Sequence, residues 1–212
     1  MAESDRLNGS TGWIDLSFVE RERTPEAIIQ VGIQLHLAGS SLSNTKRELE
    51  RLGVSRSRTA IHSWVQKPDL QPASGGNPDE IALDETVIQV NDERHWLFAA
   101  VDPATNKLLH VRLFHTRTTQ LTIAFLRELR DGYDLDDVQF LVDDANHLKA
   151  ALARLGLGFQ VVRHGKRNAI ERVFREVQRR TSSFSNTFGH AATTTAESWL
   201  QAFAVWYNRC QS

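Results

Sequence analysis

From Glu80 onward the apolar residues change period in a set order, and that order restricts the fold more than anything else in the sequence. EIALDETVIQV, RHWLFAAVD and KLLHVRLFHT are apolar-rich segments separated only by the turn formers Asn91-Asp92 and Pro103 to Asn106, the pattern of an antiparallel meander. TQLTIAFLRELRDGY then sets Leu121, Ala124, Phe125 and Leu129 in helical register, and the short apolar strand VQFLVDD follows it. ANHLKAALARLG reads as a helix and FQVVRHG as a strand. HGKRNAIERVFREVQRRT reads as a helix whose Ile170, Val173, Phe174 and Val177 form a half-buried stripe. TTAESWLQAFAVWYNRC closes the chain with Trp199, Phe203, Trp206 and Tyr207 on one face, a packing stripe and not a cofactor box. Three strands, helix, strand, helix, strand and two helices make an α/β chain with a mixed sheet flanked by helices.

The residues ahead of this block have a different grammar. Residues 1–23 are expected to form a flexible N-terminal segment. A first helix is expected over Pro25 to Leu37, with Thr24 as its cap and Pro25 in its first turn. SLSNTKRELERLGVSRSRTAIHSWVQ follows as helix, glycine turn at Gly53-Val54-Ser55, and second helix, with Leu49, Leu52, Val54, Ile61 and Trp64 as its small core. That is a helix-turn-helix, and Arg56, Arg58, Thr59, His62 and Ser63 are the side chains free to meet a DNA groove or backbone. The Pro-, Gly- and Ser-rich stretch that follows reads as a linker. The expected division is therefore 24–67 for a small all-α domain, 68–79 for the linker and 80–212 for the larger domain.

Composition excludes several classes of function. A single cysteine, Cys210, forms no internal disulfide and has no partner for a thiolate zinc site. No apolar run approaches the roughly 20 residues a bilayer requires, so no membrane association and a cytoplasmic location are expected. HExxH spacing, a GxSxG elbow and a phosphate-cradling glycine loop are all missing from the sequence. The net charge of −1 conceals a segregation: Asp79 to Asp102 and Asp131 to Asp144 are acidic, whereas Gly158 to Thr181 holds seven bases against two acids. Such separation fits a cation site beside a polyanion site, although charge runs are more often solvated faces.

Three carboxylates stand out from that background. Asp84 interrupts an apolar strand, which is costly unless the group is paired, hydrogen-bonded or bound to metal. Asp143 ends the fourth strand, with Asp144 beside it, and Glu171 stands on the helix after the fifth among Lys166, Arg167, Arg172, Arg175, Arg179 and Arg180. The bland account of Glu171 is an ion pair with Arg175 one turn on, contributing only about 0.2–0.5 kcal/mol. Glu85 should point to the opposite side of its strand, Asp102 is a turn residue before Pro103, and Glu176 should face solvent. The element order is also that of the ribonuclease-H-like fold, in which the first and fourth strands are neighbours, so Asp84, Asp143 and Glu171 would meet at one sheet edge. Carboxylate oxygens suit hard divalent cations, and a few of them hold two ions roughly 3.5–4 Å apart for phosphodiester chemistry.

LDETVIQVNDERHWLFAAVD, LVDDANHLKAAL and RNAIERVFREVQRRTSSFSNTF, together with WLQAFAVWYN and the upstream IHSWVQ, resemble DDE transposases of the insertion-sequence-six family, especially its compact archaeal branch. The resemblance implies a DNA transposase that uses Asp84, Asp143 and Glu171 as catalytic metal ligands. It implies Mg²⁺ as cofactor, with two ions and Mn²⁺ as a substitute, 3′-end cleavage, and strand transfer into target DNA. The partners implied are the element's terminal inverted repeats, the target DNA, and a second copy of the chain or more on paired ends. The setting is prokaryotic and nucleoid-associated on DNA. Lys166, Arg167, Arg172, Arg175 and Arg179 are the bases expected on the phosphate backbone. Two rival readings are a DNA-binding regulator derived from an inactive transposase and a structure-specific nuclease of the same fold.

Overall fold

The computed structural model describes residues 24–66, 72, 77–163, 165–181 and 188–211. The expected N-terminal segment 1–23 and most of the expected linker lie outside the described residues. Five strands form one sheet in the order β3-β2-β1-β4-β5. They are β1 (Glu80–Val90), β2 (Glu93–Val101), β3 (Leu108–Phe114), β4 (Gln139–Val142) and β5 (Phe159–Val161). β1, β2 and β3 pair antiparallel, while β4 runs parallel to both β1 and β5. Local chemistry accounts for the meander: Asn91 and Asp92 both adopt positive φ (48° and 65°), the requirement of a tight hairpin that matches strand twist. Parallel pairing of β4 requires a crossover, and α4 (Thr119–Gly132) supplies it, capped by Thr118, whose side chain accepts from Leu121 N. This is the ribonuclease-H-like arrangement expected from the element order.

The sheet has two buried faces. On one, Ile81, Leu83, Phe98 and Ala100 pack with α4 and α5 (Asn146–Arg154). On the other, Ala82, Ile88, Leu97, Ala99 and Val111 pack with α6 (Asn168–Thr181) and α7 (Thr193–Cys210). Odd and even positions of β1 therefore face different helical layers, the period-two consequence of a central strand. Trp199, Phe203, Trp206 and Tyr207 of α7 are buried in the second layer, as packing.

The N-terminal helices α1 (Glu26–Leu37), α2 (Leu42–Arg51) and α3 (Arg58–Gln66) join that same second layer. Ile29, Ile33, Leu37, Leu49, Ile61 and Trp64 are in the core cluster that holds α6 and α7. Gly32 is what lets α1 meet α3, since a Cβ there would lie 3.0 Å from the Trp64 ring. Two local expectations fail. Thr24 does not cap α1, which has Pro25 at its N-cap and no side-chain cap bond; the Thr24 hydroxyl accepts from Arg56 Nε at 2.6 Å instead. Leu52 is 57% exposed and leaves the small core, because it follows the last turn of α2, where Gly53 at φ +81° swings the chain away. No helix among the described residues is long and apolar enough to cross a membrane.

Candidate active site

Register sets two of the carboxylates level with each other. β1 pairs with β4 through Glu80 and Gln139, Ile81 and Phe140, and Ala82 and Leu141. The same offset carried two residues further aligns Asp84 with Asp143, which stands one position beyond the end of β4. Adjacent strands lie about 4.8 Å apart, so the two side chains start from neighbouring points on the sheet. Asp143 is fixed there by accepting the Ala145 N–H at 2.8 Å, where the chain turns into α5. Asp84 accepts the Glu85 N–H at 2.9 Å. α6 then crosses this part of the sheet with its apolar stripe inward, leaving Glu171 on the stripe's edge, half exposed.

One cation collects all three. Arg167, in the short 3₁₀ turn Gly165–Arg167 ahead of α6, brings its guanidinium to 2.5 Å from Asp84 Oδ2, 3.8 Å from Glu171 Oε1 and 3.9 Å from Asp143 Oδ2. The Arg167 side chain is 12% exposed, and its Nε is buried without a hydrogen-bond partner among the described residues. Glu171 is thus paired with the arginine one turn before it, not with Arg175. Asp84 is also buried, and burial pushes its carboxyl up to about 6 despite the opposing pull of Arg167 and the Glu85 N–H. Three carboxylates against one guanidinium leave two negative charges when all are ionised. An oxygen-only donor set with excess negative charge around an incompletely bonded arginine fits hard divalent cations.

The rival acids are otherwise engaged. Asp144 is turned outward, 79% exposed and 2.5 Å from Lys149 Nζ. The Glu85 side chain is only 3% exposed, on the other sheet face, 3.1 Å from both Arg117 Nη1 and His147 Nε2. Asp102 ties the β2–β3 turn by accepting from the Ala104 N–H and the Thr105 hydroxyl. Glu176 is partly exposed, its side chain 34%, and is engaged by Arg179 at 3.0 Å and by Arg180, which is buried over the Trp206 ring.

The expected DNA-binding residues divide. Arg58 and Thr59 are exposed at the start of α3 and His62 is half-buried, whereas Arg56 is drawn inward onto Thr24 and the Ser55 carbonyl. Lys166 is exposed but 2.5 Å from Glu80 Oε2. Arg172, Arg175 and Arg179 are exposed along α6; Arg172 donates to Asn106 and Arg179 to Glu176. Sequence reasoning counted Arg167 among the DNA contacts and missed its place inside the triad. The one available clue was its position four residues before Glu171, the spacing of one helical turn.

A family model described as a DDE domain, DDE_Tnp_IS240, matches residues 79–211. The chain is 29% identical over 197 residues to Uncharacterized protein MJ0017 of Methanocaldococcus jannaschii, covering 92% of this chain and 91% of that protein. Among solved structures it is similar to the catalytic core domain of BIV integrase, at 14% identity and TM-score 0.44, over 60% of this chain and 82% of that one. It is also similar to the HTLV-2 integrase catalytic core domain in complex with magnesium, at 15% identity and TM-score 0.39, over 52% of this chain and 74% of that one.

Proposed function

This chain belongs to the DDE transposase family, whose members are metal-dependent enzymes that cut and join phosphodiesters, and we propose that it binds the ends of an insertion sequence, cleaves their 3′ strands and joins them to target DNA. The observation that carries the reading is the meeting of Asp84, Asp143 and Glu171, from three separate elements, around one guanidinium.

Those three side chains are the proposed ligands of Mg²⁺, two ions in the loaded enzyme. Bound there, the metal activates an attacking oxygen and steadies the leaving one. In cleavage, a water oxygen attacks phosphorus, the P–O3′ bond breaks and the element keeps a free 3′-hydroxyl. In joining, that hydroxyl attacks a target phosphorus, one phosphodiester forms as another breaks, and no outside energy source is needed. Asp84, Asp143 and Glu171 would hold the cations, and Arg167, the guanidinium beside all three, would be available to pair with a phosphate oxygen. Joining two element ends calls for two triads, so at least a dimer on paired ends is part of the proposal. The helix pair α2–α3 is the proposed reader of the ends, through Arg58, Thr59 and His62, with Arg56 holding the pair to the start of α1.

A strand-transfer assay with a DNA end and Mg²⁺ tests the reading residue by residue. Asp143→Asn should lose cleavage, whereas Asp144→Asn should stay within a few-fold of the parent, since Asp144 is exposed and already held by Lys149. The reverse order of losses would displace Asp143 from the triad.

Lys166, Arg172, Arg175 and Arg179 are the proposed backbone contacts. Removing a single charge from the phosphate backbone interface lowers the slope of log affinity against log salt by about 0.9 on duplex DNA. Replacing Arg172, Arg175 and Arg179 together by glutamine should weaken binding to all sequences alike and flatten that slope, by a smaller step for Arg179 because Glu176 already holds it. Binding across a salt series decides the matter, and a slope equal to the parent's would remove these arginines from the interface.

A further inference from the structure

We propose that Glu93, His95 and His115 form a second divalent-metal site, of different chemistry from the carboxylate triad and taking a transition cation of the Zn²⁺ type. Among the described residues, these three side chains bring their possible ligand atoms within 4.8 Å of one another. The strands produce the cluster. β2 and β3 pair Trp96 with Phe114, so the next step along the same antiparallel register sets His95 opposite His115, whose ring centroids are 4.4 Å apart. Glu93 stands two residues from His95 and therefore on the same face of β2. A strand residue, its i+2 neighbour and a cross-strand partner make a three-donor fork without any loop having to close.

His95 is the informative member. It is 1% exposed, on the core-facing row that continues as Leu97, Ala99 and Val101, where an imidazole loses hydration. Among the described residues its two nitrogens have long contacts: Nδ1 is 3.4 Å from the Glu93 carbonyl, and Nε2 is 3.4 Å from the hydroxyl of Thr193, the first residue of α7. Whichever nitrogen binds a metal, the other keeps a partner that orients the ring, the usual arrangement around a metal-bound histidine. Glu93 and His115 are exposed, so the ion has a way in and an open coordination position facing water.

Donor chemistry separates the two sites. Two imidazoles and one carboxylate suit Zn²⁺, Co²⁺ or Ni²⁺, whereas Mg²⁺ prefers an all-oxygen set. Ile88 pairs with His95 and Asp84 with Ala99, which sets the sites four residues apart along β1, roughly 13 Å on the same sheet face. A cation on Glu93, His95 and His115 would fasten β2 to β3 beside the start of α7, on the layer that carries α6 and Glu171.

The experiment is a Co²⁺ and Zn²⁺ titration of the full chain, read by visible d–d absorption and by competition with a chromophoric chelator. Two variants are compared with it: His115→Ala, at an exposed position, and the triple variant Asp84→Asn, Asp143→Asn, Glu171→Gln. The parent and the triple variant should both bind one Co²⁺ with nitrogen-ligand bands. His115→Ala should lose those bands and weaken Zn²⁺ binding by at least the roughly 10–100-fold that losing a mere outer partner costs, with the far-ultraviolet spectrum unchanged and Mn²⁺ binding intact. Equal Zn²⁺ affinity in His115→Ala and the parent, or loss of the Co²⁺ bands in the triple variant alone, would overturn the proposal.

Discussion

Asp84→Asn yields a protein that no longer cleaves or joins DNA in Mg²⁺, yet above about pH 6 and without metal it melts at a higher temperature than the parent. The first half follows from charge. An amide keeps the shape of the ligand but not its anionic oxygen, and metal stabilisation of the reacting phosphate is worth several kcal/mol, roughly 1,000-fold or more in rate. The second half follows from burial, the leading cause of Asp84's elevated value of about 6. In the folded chain the carboxyl keeps its proton to about pH 6, whereas unfolded it releases it near the ordinary aspartate value. The stability that protonation contributes is complete below about pH 4, falls as pH rises through 6, and levels off about 3 kcal/mol lower. Asparagine has no proton to lose there, so the variant's advantage should open between pH 4 and 6 and persist above. Melting curves in chelator from pH 4 to 8, beside a strand-transfer assay, check both halves. A variant that melts below the parent at pH 8 would mean that the Arg167 pair outweighs the desolvation of Asp84. Cleavage within tenfold of the parent would remove Asp84 from the chemistry.

A candidate catalytic residue whose burial lowers the stability of the fold is the kind of local conflict sequence can reveal. An aspartate in an otherwise apolar strand announces itself, and the strand itself was legible end to end, because a central strand of eleven residues with Val, Ile and Thr leaves little alternative. The order of elements brought β1 beside β4, and register then did the rest for Asp143. What the sequence hid were partners chosen by tertiary packing. Arg167 and Asp84 are 83 positions apart, and no periodicity connects them. Arg56 turns to Thr24, 32 positions away, for the same reason. The Glu93–His95–His115 cluster depends on how β2 and β3 pair, which neither strand carries alone. Leu52 was misread because the helical period was extended one step past Arg51, the last residue of α2, onto the C-cap residue just before Gly53.

Arg167→Gln carries the sharpest consequence of the observed geometry. Among the described residues Arg167 is the cation nearest all three carboxylates, so on the proposed reading it would compete with a divalent ion for the same oxygens. Removing one partner of a buried pair typically costs about 3–5 kcal/mol. Here the lower half of that range is expected, because Asp84 is able to take up a proton instead. The metal-free variant should therefore melt below the parent at pH 8 and close to it at pH 5. Loss of the competitor works in the opposite direction on the loaded protein. By linkage, whatever held the empty triad together no longer opposes the cation, and every 1.4 kcal/mol so released is tenfold in affinity. Mn²⁺ binding, followed by the paramagnetic resonance of free Mn²⁺, should tighten by roughly tenfold or more, with or without DNA present. Arg167→Lys keeps the charge on a different head and should lie between the two. Cleavage should fall in Arg167→Gln all the same, because the displaced guanidinium is no longer there to meet a phosphate. Unchanged or weaker Mn²⁺ binding would mean that Arg167 braces the triad without contesting its oxygens.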